Sequence, residues 1–353
     1  MAFGYSIPRS GADALMPEEA MAVINGIEQE SVVLPMMHRA PNMSRLQDRI
    51  PCLDVLPSSF FVNGDDGLRQ DTLMLWKNKY IIAQEVCSIV VIPQTVLDDS
   101  GYPIWGMAIP KIRQSISQVI DLAILAGINA PAYPLWPTSI VSQAVAAGNG
   151  VSLGGSSFSN GTSYGGVTYP GATYQSNGGV AFANLYQALC GDKGAYQKCE
   201  IQGYDVNALV GTPTLRGQLR GMVDSQQRPL MLAPTGQATI GQRENFEIAG
   251  VPATFAKNGS LPSGTALAVG GDFSQAMYAI REDVNYRAVK DGVITDNKGA
   301  IIYNLTQQRM SAIIVWTRLG WQVPNVPTLL APGNTVDING NNTARSPFFV
   351  LTA

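Results

Sequence analysis

The residue with the most suggestive chemistry is Ser152, in Gly150-Val151-Ser152-Leu153-Gly154. This spells G-x-S-x-G, the pattern that in hydrolases lifts a nucleophilic serine onto a sharp strand-to-helix turn. Such a serine needs a histidine later in the chain to take its proton. The single histidine, His38, lies far upstream, and the flanks of Ser152 are glycine-rich. Asp99-Ser100-Gly101 resembles half of an acid-protease dyad, but two carboxylates must share a proton there and no second copy exists. Gly148, Gly150 and Gly154 lack the spacing and context of a dinucleotide loop. Asp337-x-Asn339-Gly340-Asn341 begins like a calcium loop, without the bidentate acid that should close it. One histidine and four scattered cysteines (Cys52, Cys87, Cys190, Cys199) make neither a zinc site nor a disulfide framework. Asp65-Asp66 and Asp98-Asp99 fall in turn-like sequence, where solvation explains them. Catalytic, metal and cofactor residues are therefore expected to be none.

Composition narrows the class further. The chain has 353 residues, enough for one large or two ordinary domains. It is 46% hydrophobic but only 14% charged, with 36 Gly and 22 Pro. A folded protein with so few charges suggests a surface largely covered by something else. A net charge of −3 without a cluster of Lys or Arg argues against a nucleic-acid-condensing arm. Met1 to Leu15 has no apolar core of the signal-peptide kind, and Val119 to Pro137 is broken by Asp121, Pro131, Pro134 and Pro137. The expectation is a protein made in a cytosol, with free thiols and no membrane span.

Stepping along the chain, Pro17-Glu18-Glu19 opens a helix with Ala20, Ile24 and Ile27 on one stripe. Val32 to Arg49, with two prolines and Met36, Met37 and Met43, reads as an extended arm. Phe60-Phe61-Val62, the turn Asn63-Gly64-Asp65-Asp66-Gly67 and Leu73-Met74-Leu75-Trp76 predict two long antiparallel strands. Two strands alone are marginal in water, so this hairpin should rest on another chain. An apolar strand ends at Ile92-Pro93. Pro110 then begins a long helix whose Ile109, Ile112, Ile116, Val119, Ile120 and Ala123 face inward while Lys111, Gln114, Gln118 and Asp121 face away, with Gly127 as its cap. Gly148 to Gly179 is rich in Gly, Ser, Thr, Asn and Tyr, the composition of a disordered linker or, with Tyr164, Tyr169 and Tyr174 at five-residue intervals, of an ordered insertion of short strands, which the aromatic content favours. Thr212-Pro213 starts a helix with Leu215, Leu219 and Met222 inward. Strands follow at Glu247 to Ala256, Ala266 to Val269, Ala276 to Ile280, Ile301 to Val323 and Pro347 to Leu351.

In this order the segments resemble the major capsid proteins of tailed bacteriophages, the Hong Kong ninety-seven type shell fold. The resemblance runs from about Pro17 to the C-terminus, with the Gly/Tyr-rich insertion as an extra. It implies an α+β fold with an N-terminal helix and arm (1–49) and an extended β-hairpin loop reaching a neighbouring subunit (50–80). A peripheral domain with a long spine helix (81–127) and an axial domain carrying the insertion 148–179 (128–294) follow. The chain then returns to the peripheral domain (295–353). It further implies self-assembly as hexamers and pentamers into an icosahedral shell around double-stranded DNA, in a virion built in the host cytoplasm. Partners would be the protein itself, a separate scaffolding protein, a portal and a decoration protein. Some relatives carry a long N-terminal scaffolding extension; with so short a segment before Pro17, scaffolding is expected to come from another protein or not to be needed. Lysine cross-linking, found in some relatives, is not carried over, because Lys77 and Lys79 lie near the hairpin base.

On this reading the inter-subunit contacts are Ile24, Ile27, Met36, Met37, Phe60, Phe61, Leu73, Leu75 and Trp76. The alternatives are an encapsulin-type nanocompartment shell of the same fold, a fibre or adhesin built on the Gly/Tyr region, and a hydrolase using Ser152.

Overall fold

The computed structural model describes residues 31–62, 67–69, 71–95, 104–153, 163–164, 167–168, 185–221, 246–262, 266–296, 298–330 and 345–352. The helix expected from Pro17, the turn at Asn63 to Asp66, Asp98-Asp99 and the Asp337 loop lie outside these residues. The strands are β1 (His38–Arg39), β2 (Gln47–Val55), β3 (Leu75–Ile82), β4 (Gln84–Pro93), β5 (Gly150–Ser152), β6 (Ser163–Tyr164), β7 (Val167–Thr168), β8 (Ala208–Gly211), β9 (Phe246–Ile248), β10 (Val251–Phe255), β11 (Ala268–Gly271), β12 (Met277–Val289), β13 (Val293–Thr295), β14 (Ile301–Asn304), β15 (Met310–Gln322) and β16 (Phe348–Thr352). The α-helices are α1 (Ile104–Leu125), α2 (Ile140–Ala146), α3 (Leu185–Cys190), α4 (Ala195–Glu200) and α5 (Pro213–Arg220).

Two sheets organise the chain. One is four-stranded, in the order β1-β12-β15-β4. Alternation along β15 sends Ile313, Val315, Leu319 and Trp321 into the core, where Val86 and Val90 of β4 join them. The apolar stripe of α1, Ile112, Ile116, Ile120 and Ala123 with Ile124, belongs to the same core. Burial of each such isoleucine stabilises by about 1.5–3 kcal/mol. At the end of α1, Gly127 turns the chain at φ 71°, and the Ile128 N–H reaches back to the Leu122 carbonyl.

The second sheet is six-stranded and mixed, in the order β5-β16-β11-β8-β10-β9. Its central strands β16, β11 and β8 are buried at every residue. A strand that reads as a continuous apolar run is one covered on both faces, and here each face serves a different core. Phe348 and Val350 join the core of α1, whereas Phe349 and Leu351 join a second core with Leu185, Leu189, Leu215 and Leu219 of α3 and α5. Gly271 (φ 143°) allows this packing, because a Cβ there would sit 2.1 Å from the Pro347 carbonyl oxygen.

The structure departs from the sequence reading in five places. The final strand does not return to the sheet beside α1; β16 pairs with β11 and β5. The strand read as Ala276 to Ile280 runs to Val289 and pairs along β15, with register shifts at Glu282. Its run Arg281-Glu282-Asp283 breaks the two-residue alternation that would have revealed it. The α1 helix starts at Ile104, with Pro110 inside it; proline tolerates the helical φ there at the loss of one backbone bond. The hairpin strands stop at Val55 and resume at Leu75, so Phe60 to Val62 is not strand. Pro57, which has no N–H to donate, closes off the ladder.

The fifth departure is Asp121. Read as facing away from the core, it is completely buried. Its carboxylate accepts from Ser31 Oγ (2.5 Å), the Val32 N–H (2.8 Å) and Asn258 Nδ2 (3.1 Å). Burial pushes its pKa above the usual carboxylate range, and these hydrogen bonds draw it part of the way back. It fastens the arm and the loop after β10 to the long helix.

Candidate assembly interface

β2 and β3 form a two-stranded hairpin that pairs with no other strand among the described residues. In their register Leu53 faces Trp76, Cys52 faces Lys77 and Ile50 faces Lys79. Among the described residues, the base of this hairpin is tied to the body of the protein. Ile81 and Ala83 pack with Met43 and Ala279 in a small apolar cluster. Gly320 of β15 leaves room for the hairpin backbone to lie directly on the sheet, since a Cβ there would sit 2.5 Å from the Ile82 carbonyl oxygen. Lys79 Nζ donates to the Val323 carbonyl (2.8 Å) and Gln322 Nε2 to the Tyr80 carbonyl (3.1 Å). Burial pushes the pKa of the Lys79 ammonium down.

Beyond its base the hairpin exposes its apolar residues to solvent. Phe60, Val62, Leu73, Met74 and Leu75 are exposed, Trp76 retains 66% of its accessible surface, Leu68 91% and Phe61 105%. Leu73-Met74-Leu75-Trp76 is apolar at four successive positions, and successive side chains of a strand point to opposite faces. Where the run enters β3 it therefore offers apolar side chains to both faces, and Leu73, Met74, Leu75 and Trp76 are all exposed among the described residues. Contiguous exposed apolar surface of this kind marks an interaction site. Five of the expected contact residues, Phe60, Phe61, Leu73, Leu75 and Trp76, sit together here. Met36 is half-buried against the main core, and Met37 lies inside that core. Ile24 and Ile27 lie outside the described residues. The sequence reading missed Leu68, and it missed the hairpin β13–β14, where Val293, Ile301 and Ile302 are exposed. Apolar residues in a short hairpin were the available signal for the latter.

The chemical candidates disperse. Ser152 is buried in β5, at the edge of the six-stranded sheet. His38 lies exposed on β1. Burial raises the thiol pKa of Cys52, Cys190 and Cys199, which keeps them protonated and poorly nucleophilic. No group of three His, Cys, Asp or Glu side chains able to hold a metal occurs among the described residues. No helix among them is long and apolar enough to cross a membrane. Within the insertion, β6 and β7 pair as a short antiparallel hairpin.

Comparison with known proteins gives one consistent result. The model of the phage capsid family matches residues 17–326. A solved structure from Microbacterium phage Oxtober96 is similar at 25% identity and a TM-score of 0.67, covering 91% of this chain and 90% of that one. One from Mycobacterium phage Adephagia is similar at 19% identity and a TM-score of 0.67, covering 91% and 89%. A structure described as the capsid of an empty GTA particle shares 13% identity with a TM-score of 0.52, covering 99% and 95%. No curated protein sequence matches the chain.

Proposed function

Since the chain belongs to the phage capsid family, we propose that the hairpin β2–β3 is the arm by which one copy holds the next. The protein is a structural, non-enzymatic major capsid protein, a component of an icosahedral virion shell that assembles from copies of itself. The observation that carries the proposal is the unsupported hairpin with Phe61, Leu68 and Trp76 in solvent. Phe60, Phe61, Leu73, Leu75 and Trp76 bury against a neighbouring subunit, with Met36 at the margin and Ile24 and Ile27 contributed by the arm. Apolar burial yields about 25 cal/mol per Å², and the cost of docking consumes much of it. A single contact is therefore weak, and many contacts closed by symmetry are strong.

The peripheral unit comprises α1 and the four-stranded sheet, and the axial unit the six-stranded sheet with the insertion. Axial units gather into hexamers and pentamers around packaged double-stranded DNA, held without a basic arm. Assembly takes place in the host cytoplasm, with a scaffolding protein, a portal and a decoration protein as further partners.

The test is negative-stain electron microscopy of the protein expressed alone and again with a scaffolding protein. Closed shells, or rings of five and six, are the expected result. Monomers in both preparations would overturn the proposal.

A further inference from the structure

The segment 323–328, which leaves β15, touches three parts of the molecule within six residues. At its start, the Val323 carbonyl accepts from Lys79 at the hairpin base (2.8 Å), while the preceding Gln322 holds the Tyr80 carbonyl. In its middle, Asn325 adopts φ 56°, and its side chain donates to the Arg345 carbonyl (2.6 Å). The Tyr204 hydroxyl lies 3.1 Å from Asn325 Oδ1 and 2.9 Å from the Val326 carbonyl. The Arg345 guanidinium grips the Asn325 carbonyl from the other side, Nε at 3.3 Å and Nη2 at 3.2 Å. At its end, Thr328 Oγ1 donates to the Gln202 carbonyl (2.5 Å). Gly203 (φ 80°) lets Thr328 come that close, since a Cβ there would meet Thr328 Oγ1 at 2.7 Å. Gln202 in turn accepts from the Ser346 N–H, at the entry to β16. Val323, Pro324 and Pro327 are buried. The segment thus runs from the four-stranded sheet, past the hairpin base, to the loops that lead into the six-stranded sheet.

We propose that residues 323–328 form a strap that fixes the angle at which the hairpin leaves the subunit, with Lys79 as its positioning residue, and thereby sets the diameter at which copies close. The inference rests on the hairpin being the arm between copies. The lever is long: the eight residues of β3 span roughly 26 Å, so a tilt of about 10° at the base moves the far end by roughly 5 Å. Apolar packing is lost beyond about 4.5 Å, so a small change at the base decides which neighbour geometry the hairpin can reach. Among the described residues, Lys79 and Gln322 tie the hairpin to the body beside the small cluster around Ile81. Lys79 holds a carbonyl of the strap itself.

The experiment compares particle diameters, by electron microscopy, for the full chain and for Lys79→Met, Tyr204→Phe and Lys79→Arg under the conditions in which the unaltered protein closes. Lys79→Met removes the donor and keeps the stem; Tyr204→Phe loosens the strap from the opposite side without touching the hairpin. Both are expected to keep the melting transition of the subunit and to shift or broaden the diameter distribution. Lys79→Arg retains a donor and is expected to lie closer to the unaltered protein. Melting and diameters unchanged in both variants would overturn the strap. If a variant folds but does not close, hydrogen exchange of the unassembled subunit decides: faster exchange at Tyr80 to Ile82 supports the strap, and unchanged exchange overturns it. Failure of the unaltered protein to close would count against the hairpin as arm, a separate result.

Discussion

Trp321 and Trp76 are the same side chain in opposite surroundings. Trp321, near the end of β15, is fully buried, its ring edge-on to Trp136 at 6.3 Å between centroids. Trp76, on β3, keeps two-thirds of its surface in water. Phe348 and Phe349 against Phe60 and Phe61 repeat the contrast. Composition does not separate the two regions; topology does. The strands β16 and β15 have neighbours on both edges and packed side chains on their faces, whereas among the described residues β2 and β3 pair only with each other. The free energy of apolar burial, about 1.5–3 kcal/mol for a large side chain, is realised within the subunit in the first region. In the second it is not realised within the subunit, and on the proposed function it is realised against another chain. A subunit whose stability and whose adhesion lie in different places can fold first and assemble afterwards.

The contrast breaks most visibly at Trp321. Trp321→Ala is expected to destabilise the subunit by about 3–5 kcal/mol, the usual loss for a buried tryptophan. A marginal fold does not survive that, so the variant should be recovered largely unfolded or with a far lower denaturation midpoint. An unchanged midpoint in a urea titration would remove Trp321 from the core.

A smaller effect concerns a buried carboxylate whose hydrogen-bond partners all come from within the subunit. Asp121→Ala leaves the Val32 N–H and Asn258 without their acceptor, at a cost of about 1–3 kcal/mol per stranded group. Asp121→Asn can keep the bonds, because Ser31 Oγ can turn and accept from the amide. What it removes is titration. Burial raises the folded-state pKa above the ordinary aspartate value, so folding takes up a proton in the interval between the two. The stabilisation from Asp121 is fully present below the unfolded pKa and is lost as pH rises through the folded one. Melting of the unaltered subunit should therefore fall relative to Asp121→Asn as the pH rises above the ordinary carboxylate range and through the raised folded-state pKa. A pH-independent difference between the two would show that the carboxyl is not shifted.

Asp121 also illustrates what the sequence could not disclose. The stripe of α1 is legible because Ile112, Ile116, Ile120 and Ala123 recur at helical spacing. The burial of Asp121 depends on Ser31 and Asn258, which lie 90 and 137 positions away, and no local pattern contains them. The same holds for Lys79, whose partner Val323 is 244 positions distant. Phe348-Phe349-Val350-Leu351 was recognisable as a strand, but its sheet was not: a continuous apolar run says that both faces are covered, not by what. The hairpin was the most legible part of the proposed interface, because four apolar residues in succession beside a polar turn have no inner face of their own. Its apolar residues at Phe60 to Val62 were visible in sequence, whereas the end of β2 ahead of Pro57 was not.

The smallest effect on folding should accompany the largest effect on assembly. Trp76→Ala and Phe61→Asp alter side chains that make little contact within the subunit, and surface substitutions of that kind usually change stability by no more than about 0.5 kcal/mol. Phe61→Asp adds a charge that is harmless in water and costly to bury between chains without a partner. Both variants should therefore melt like the unaltered subunit in urea while failing to form closed particles under the electron microscope. If they close normally, the hairpin is not an arm, and the exposed Val293, Ile301 and Ile302 of β13–β14 become the surface to alter next. If they lose stability as well, the hairpin is folded against its own subunit, and the division between a region that folds and a region that joins fails at its central example.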